Sequence, residues 1–285
     1  LTPEERVIKV NAFKAVLGDR MKQLDLLAAD ASELAPKEGN IAEAKRLKGE
    51  ISKLQEVLSA INRNVDHQAQ AVKEDLINWQ QYQTGLQQIK PLVEESEFKV
   101  NSIVPKPISL EEAVAMQQNA KQFETQCLEQ LDRLQGISNI SHKMLCKTNA
   151  PDELDAMHSR WSSVHENAKQ SSAKLDKLVS NWESFDAEAS KLEDWVEAGE
   201  SQVALRPSLL NTPQVEKLEK ELVRLKSFNN EISKQQAKLV ALGQGSDQIS
   251  LQLAPEGAIA LKDRVNNMKG KLQKLNIFPR NSQIY

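Results

Sequence analysis

The feature that most constrains this sequence is a heptad pattern that runs through residues 152–206 without a phase break or a proline. Mostly apolar positions recur at alternating steps of three and four residues, the spacing that forms one stripe along a helix. The stripe consists of Leu154, Met157, Trp161, Val164, Ala168, Ser171, Leu175, Leu178, Trp182, Phe185, Ala189, Leu192, Val196, Gly199 and Val203. It predicts one helix of about 50 residues, roughly 75 Å long at 1.5 Å per residue. We expect a helix of this length to find its packing partners in two successive bundles.

Matching features recur with a period near 104 residues. The matching pairs are Trp79 and Trp182, Pro151 and Pro255, and Phe123 and Phe228. The period exceeds the 20–50 residues of typical solenoid repeats, so each unit should have a hydrophobic core of its own. The heptad pattern also recurs one period earlier, from Leu47 to Val93, with Gln68 and Asp75 as polar positions. It predicts a second long helix near 44–90.

Helix-start signals divide the remaining sequence. Thr2 and Ser109 are each followed three residues later by a glutamate, the capping-box pattern, and Thr212 precedes a proline. We predict units of three helices in which the third helix runs into the first helix of the next unit. The predicted domains are a partial repeat with two helices at 1–75, full repeats at 76–178 and 179–276, and an irregular tail at 277–285. The predicted fold class is all-α, with tandem left-handed three-helix coiled-coil bundles joined by continuous helices into an elongated rod.

The period, the fused helices and the aromatic positions together resemble the spectrin repeat, over nearly the whole chain. Trp195, within Leu192-Glu193-Asp194-Trp195-Val196, matches the family's tryptophan in the first helix, and Trp161 matches an aromatic in the third. Within the family, the stretches 225–232 and 261–265 are most similar to giant nesprin-type proteins. Those proteins join the nuclear envelope to the cytoskeleton through a long spectrin-repeat rod.

The sequence departs from the family pattern at three positions. Leu92 stands at the position of Trp195 in the preceding repeat, and Val265 stands at the position of Trp161 in the last repeat. Pro91 interrupts an otherwise continuous heptad stretch. Because an interior proline removes one backbone hydrogen bond and clashes with the preceding turn, we predict a kink or a break near residues 87–91.

Composition excludes several classes of protein. The chain is 40% hydrophobic but only 4% aromatic, and its 27% charged residues leave a net charge of −3, so we expect no nucleic-acid partner. Cys127 and Cys146 cannot form a disulfide framework and are interpreted as reduced thiols. The sequence lacks an apolar run long enough to span a membrane. Because it begins with Leu1, we expect it to be a piece of a longer protein.

Patterns typical of catalysis or of cofactor binding are missing from the sequence. We find neither an activated nucleophile nor a glycine-rich phosphate loop, and we predict no enzyme activity, no catalytic residue and no cofactor. His142 and Cys146 are four residues apart and could place two metal ligands on one helical face. A structural zinc site needs four ligands, so we predict no metal site.

The candidate residues are therefore structural. The predicted core aromatics are Trp79, Phe123, Trp161, Trp182, Phe185, Trp195 and Phe228. Basic residues at 217–226 are interleaved with glutamates, which favours a solvated face. The less balanced cluster of Arg264, Lys269, Lys271 and Lys274 could contact actin or another acidic partner, with a solvated face as the alternative.

The resemblance implies a cytoplasmic structural rod that acts as a spacer, a tension-bearing element and a scaffold for cytoskeletal or adaptor proteins. In the nesprin-type reading its parent protein is membrane-anchored at the outer nuclear envelope. The alternative is a dedicated binding module of a spectrin-, dystrophin- or plakin-type protein. Such a module would dock one partner, such as a formin or a motor adaptor, near Pro91 or at the irregular first unit. A lipid-binding amphipathic helix is disfavoured by the balanced charge.

Overall fold

A computed structural model describes residues 1–34, 41–145, 148–204 and 215–281. These residues form six α-helices. The helices are α1 (Pro3–Leu34), α2 (Ile41–Asn101), α3 (Leu110–Ser141), α4 (Ala150–Ala204), α5 (Val215–Ser250) and α6 (Pro255–Asn281). Within these ranges no residue lies in a β-strand, so the predicted all-α class is confirmed there.

The two predicted long helices are present as α2, with 61 residues, and α4, with 55 residues. The last two residues of the helix predicted over 152–206, residues 205–206, lie outside the described residues. Helix α2 continues through Pro91 to Asn101, so the predicted break does not occur, whereas the predicted bend stays a prediction. Ile89 and Val93, on either side of the proline, are fully buried. Their packing offsets the backbone hydrogen bond that a proline removes from a helix.

Two of the predicted caps are visible in atomic detail. At the start of α1, the Glu5 amide donates to Thr2 Oγ1 at 3.2 Å, and the Thr2 amide donates to Glu5 Oε2 at 3.1 Å. Before α3, the Glu112 amide donates to Ser109 Oγ at 3.2 Å, but the Glu112 carboxylate accepts from the amide of Ile108 instead of that of Ser109. The predicted cap at Thr212 lies outside the described residues.

The chain divides into two compact units. Unit 1 comprises Leu1–Glu97 with Leu128–Ser163, and unit 2 comprises Phe98–Cys127 with Val164–Tyr285. Helix α4 therefore contributes residues to both units. The predicted repeat boundaries after residues 75, 178 and 276 stay predictions.

The C-terminal end differs from the predicted tail at 277–285. Helix α6 continues to Asn281, and residues 282–285 lie outside the described residues. Leu272 and Leu275 are buried in the last turns before residue 277. Their packing supports the helix beyond the point where the heptad pattern is lost.

Candidate functional site

A hydrophobic core lies in unit 2, where segments of α4, α5 and α6 bury apolar residues against one another. Helix α4 contributes Leu178, Trp182, Phe185, Ala189, Leu192 and Val196, α5 contributes Ile232, Leu242 and Ile249, and α6 contributes Leu261, Met268, Leu272 and Leu275. The α4 residues belong to the heptad stripe that the sequence predicts. This shared apolar core is the main source of cohesion between the three segments, because buried apolar area is the dominant favourable term in folding.

Aromatic contacts occupy the edge of this core. Trp195 is partly buried and stacks on Phe228, with ring centroids 5.7 Å apart and planes inclined by 18°. A Cβ placed on Gly199 would lie 3.2 Å from Leu275 Cδ1 and 3.6 Å from Phe228 Cζ, so α4 runs close to both partners there. Trp195 thus lies beside the seam, in contrast to the buried Trp182.

A polar clamp centred on Arg264 joins α6 to α4. Its Nε and Nη2 donate to the two carboxylate oxygens of Glu193 at 2.9 and 3.0 Å, and its Nη1 donates to Asp186 Oδ1 at 2.7 Å. The guanidinium carbon also lies 5.9 Å from the centroid of the Phe185 ring. The hydrogen bond from Arg264 lowers the pKa of Glu193 below its usual range. Arg264 therefore holds two helices together and is not available to the predicted basic cluster.

The part of α3 that belongs to unit 2 contains Phe123 and Cys127. Phe123 is half-buried beneath the Lys99 ammonium, which lies 4.3 Å from the ring centroid. Cys127 is buried, and burial raises the pKa of its thiol. Because the thiolate is the reactive form, the environment of Cys127 is that of a core residue.

In unit 1 the predicted aromatics differ in exposure. Trp161 is 2% exposed, and its buried indole N–H has no hydrogen-bond partner among the described residues. Trp79 is half-buried and stacks on Tyr82 at 5.5 Å. The Tyr82 hydroxyl donates to Glu153 Oε2 at 2.7 Å, and desolvation followed by this bond raises the pKa of Tyr82.

Unit 1 also contains a buried carboxylate that links three parts of the chain. Asp75, 1% exposed, accepts from Arg6 Nη1 of α1 at 3.3 Å and from the amide of Leu145, after α3, at 2.5 Å. A second link is the bidentate pair of Arg160 on α4 with Glu97 on α2, at 2.8 and 2.7 Å. The sequence showed Asp75 only as a polar position in an apolar stripe. Its partners, 69 and 70 residues away, have no signature in the sequence.

In the described part of the chain, no group of three or more His, Cys, Asp or Glu side chains is placed to hold a metal ion. His142 Nδ1 lies 2.7 Å from the carbonyl oxygen of Ser138, and Cys146 lies outside the described residues. Over the same residues no helix combines the length and the apolar character needed to cross a membrane.

These features define a class of protein built from long amphipathic helices that pack around heptad cores and are joined by polar clamps. No family model matches the sequence. Over 276 residues, 97% of the chain, the sequence is 83% identical to "Muscle-specific protein 300 kDa" of Drosophila melanogaster. The chain spans only 2% of the length of that protein.

Proposed function

We propose that the chain is a series of spectrin-type three-helix repeats that acts as a non-enzymatic spacer, tension-bearing element and protein-docking scaffold in a giant cytoskeletal protein of muscle. The observation that carries this proposal is the continuity of α4. Its residues Met157 and Trp161 are buried in unit 1, and Trp182 and Val196 are buried in unit 2. Lengthening such a helix under tension requires breaking backbone hydrogen bonds and exposing apolar residues. Neighbouring repeats would also stabilise each other through the shared helix.

Breaking α4 tests this proposal. Leu178 is buried in the unit 2 core, so Leu178→Ala removes apolar packing while it keeps the helix. Leu178→Pro removes the same side chain and also breaks the helix, at a cost of about 3 kcal/mol or more. We expect the proline variant alone to separate thermal unfolding into two transitions, measured by calorimetry. If both variants gave the same single transition, α4 would not couple the units.

The nesprin-type role is the finer part of the proposal. In it, the parent protein is anchored at the outer nuclear envelope, and this chain lies in the cytoplasm as part of a rod that leads to the cytoskeleton. The support is the resemblance of stretches 225–232 and 261–265, together with the high identity to a muscle protein. A fluorescent tag on the full-length protein in muscle should mark the nuclear rim. A distribution that avoids the nuclear rim would contradict this role.

Actin or another acidic protein is the partner class favoured by α6. Once Arg264 is assigned to the α4 clamp, Lys269, Lys271 and Lys274 remain exposed. Lys271 and Lys274 are three residues apart and therefore neighbours on one helical face. Replacing both by Gln should reduce co-sedimentation with filamentous actin, whereas Lys234→Gln, at a lysine paired with Glu231, serves as the control. Equal sedimentation of both variants would point instead to a docked adaptor, such as a formin, near Pro91.

A further inference from the structure

The linker between α2 and α3, residues 102–109, is fastened to unit 2 at both of its ends. At its start, the Ser102 hydroxyl donates to the carbonyl oxygen of Phe98 in α2 at 2.7 Å. Near its end, the carbonyl oxygen of Pro107 accepts at 3.1 Å from the amide of Ala254, in the turn before α6. The linker is therefore held on the turn between α5 and α6.

Two further contacts hold the same end of the linker. The ammonium of Lys106 donates to the carbonyl oxygen of Leu251 at 2.9 Å. The carbonyl group of Ile108 packs on Gly257, where a Cβ would lie 2.6 Å from the Ile108 oxygen. These contacts involve the backbone of both segments, so they fix the course of the linker and leave most of its side chains free.

The sequence of the linker restricts its backbone to extended conformations. The rings of Pro105 and Pro107 fix φ at about −65°. Val104 and Lys106 each precede a proline, which disfavours the helical region and favours the β and polyproline II regions. In the structure all four residues lie outside helices and strands. The linker therefore has the backbone preferences of a short polyproline II segment.

Exposure along the linker fits the three residues per turn of a polyproline II helix. Its three sides would carry the pairs Ile103 and Lys106, Val104 and Pro107, and Pro105 and Ile108. Pro107 is buried, and Val104 on the same side is 63% exposed, whereas Ile103 is 98% exposed. One side of the linker thus rests on unit 2, and the other two face solvent.

The two solvent-facing sides are mostly apolar. We call them the linker ridge; its residues are Ile103, Pro105, Lys106 and Ile108, all of them exposed. Leu251, whose carbonyl oxygen accepts from Lys106, is also 76% exposed. A cluster of exposed apolar side chains, rather than a single one, is typical of an interaction surface.

The backbone of the ridge excludes a partner that adds a β-strand. Strand addition depends on main-chain hydrogen bonds, but Pro105 and Pro107 have no N–H group. The amide of Ile108 already donates to Glu112 Oε2 at 2.8 Å. Recognition of polyproline II segments instead uses packing in a groove lined by aromatic side chains. The ridge fits the second mode, because its exposed groups are a proline ring and aliphatic side chains.

Lys106 adds a charge to the ridge. Its ammonium is bound to the neutral carbonyl of Leu251, so this contact does not neutralise the charge. A lysine ammonium has three donors, and two remain for a partner. The complementary group is an acidic side chain at the edge of the partner's groove.

We propose that the linker ridge binds a folded partner domain of the polyproline-recognising kind. Pro105, Ile103 and Ile108 pack into its aromatic-lined groove, and Lys106 pairs with an acidic residue at the groove's edge. Because the linker is fastened at both ends, less conformational entropy is lost on binding than for a free peptide. The site rests on the proposed role of the chain as a docking scaffold. The two can fail separately, because Leu178→Pro tests the continuity of α4 and leaves the linker unchanged.

The probes are purified, fluorescently labelled SH3, WW and EVH1 domains, each titrated with the full chain and followed by anisotropy. We expect binding by at least one of these domain classes. Ile103→Gln and Pro105→Ala should each weaken it about tenfold or more, because each removes a buried contact worth about one decade of affinity. Ile259→Gln is the matched control, since Ile259 is 60% exposed but lies on α6. Lys106→Gln should reduce the dependence of the Kd on salt concentration.

The outcomes separate the proposal from its alternatives. Because the substituted side chains are already exposed, the variants should keep the helix content and melting temperature of the wild-type chain. Failure of all three domain classes to bind the wild-type chain would overturn the proposal, as would equal binding by Ile103→Gln and Ile259→Gln. An unchanged salt dependence in Lys106→Gln would overturn the acidic edge. Flotation of the wild-type chain, but not of Ile103→Gln, with phosphatidylcholine vesicles would make a membrane the occupant and refute the proposal.

Discussion

Substituting Trp161 by Phe and by Ala separates two contributions that this side chain makes to unit 1. Trp161 is 2% exposed and is the largest fully buried side chain in the described part of the molecule. Its indole N–H, however, is buried without a hydrogen-bond partner among the described residues. The ring therefore stabilises unit 1 through apolar burial, while the N–H opposes that gain.

The two substitutions differ in what they remove. Trp161→Ala leaves a cavity and should cost about 3–5 kcal/mol. Trp161→Phe also loses ring atoms, worth about 1–2 kcal/mol of burial, but removes an unpaired N–H whose desolvation costs about 1–3 kcal/mol. The second change should therefore be close to neutral. At roughly 4 °C per kcal/mol for a unit of this size, the melting temperature should fall by about 12–20 °C for Ala and by less than about 4 °C for Phe.

Calorimetry combined with hydrogen exchange followed by mass spectrometry would measure both the size and the location of the effect. Trp161→Ala should lower amide protection in the unit 1 parts of α2 and α3, because local stability follows the packing unit. Trp182→Ala is the matched control, and it should instead lower protection in α5 and α6, which share its core. If Trp161→Phe cost as much as Trp161→Ala, the argument about the unpaired N–H would be refuted.

Three further predictions concern α6. Arg264→Met should destabilise unit 2 by about 1 kcal/mol after solvent screening. Because the pKa of Glu193 is lowered in the folded chain, this stabilisation is present above the ordinary glutamate pKa and is lost as the pH falls through the lowered value. The denaturant midpoints of the wild-type chain and of Arg264→Met should therefore converge in acid. A difference between the midpoints that did not change with pH would contradict the pairing of Arg264 with Glu193. Gly257→Ala should destabilise unit 2 by about 1–3 kcal/mol, although alanine has a higher helix propensity than glycine. The reason is that the added Cβ would lie 2.6 Å from the backbone oxygen of Ile108. Gly270→Ala, with nothing within 4 Å, should stabilise by up to about 1 kcal/mol in the same melting experiment.

The helices were predictable because their signals are local and periodic. The stripe from Leu154 to Val203 lies within α4, and the caps at Thr2 and Ser109 precede α1 and α3. Trp195 is not one of the positions in the predicted heptad stripe, and it is only partly buried, against Phe228. Heptad phase thus determines which face of a helix turns toward a core.

Long-range polar partners were not predictable, because the heptad phase of each helix does not determine the axial register in which two helices pack. Arg264 was grouped with lysines on its own helix, yet it binds carboxylates 71 and 78 residues away on α4. Pro91 shows that local backbone preferences are also insufficient. A proline inside a helix predicts a break, but α2 continues through Pro91, where Ile89 and Val93 are buried.

Phase also cannot tell whether a core-facing stripe is covered. Leu54 and Met157 lie 103 residues apart in sequence, close to the period of the matching features, and their neighbours follow the same heptad pattern, yet Leu54 is 54% exposed and Met157 is 3% exposed. The difference arises from the surroundings, because a stripe on two helices is closed only by a third. Burial of a heptad stripe therefore depends on a third helix, which the phase of the stripe does not specify.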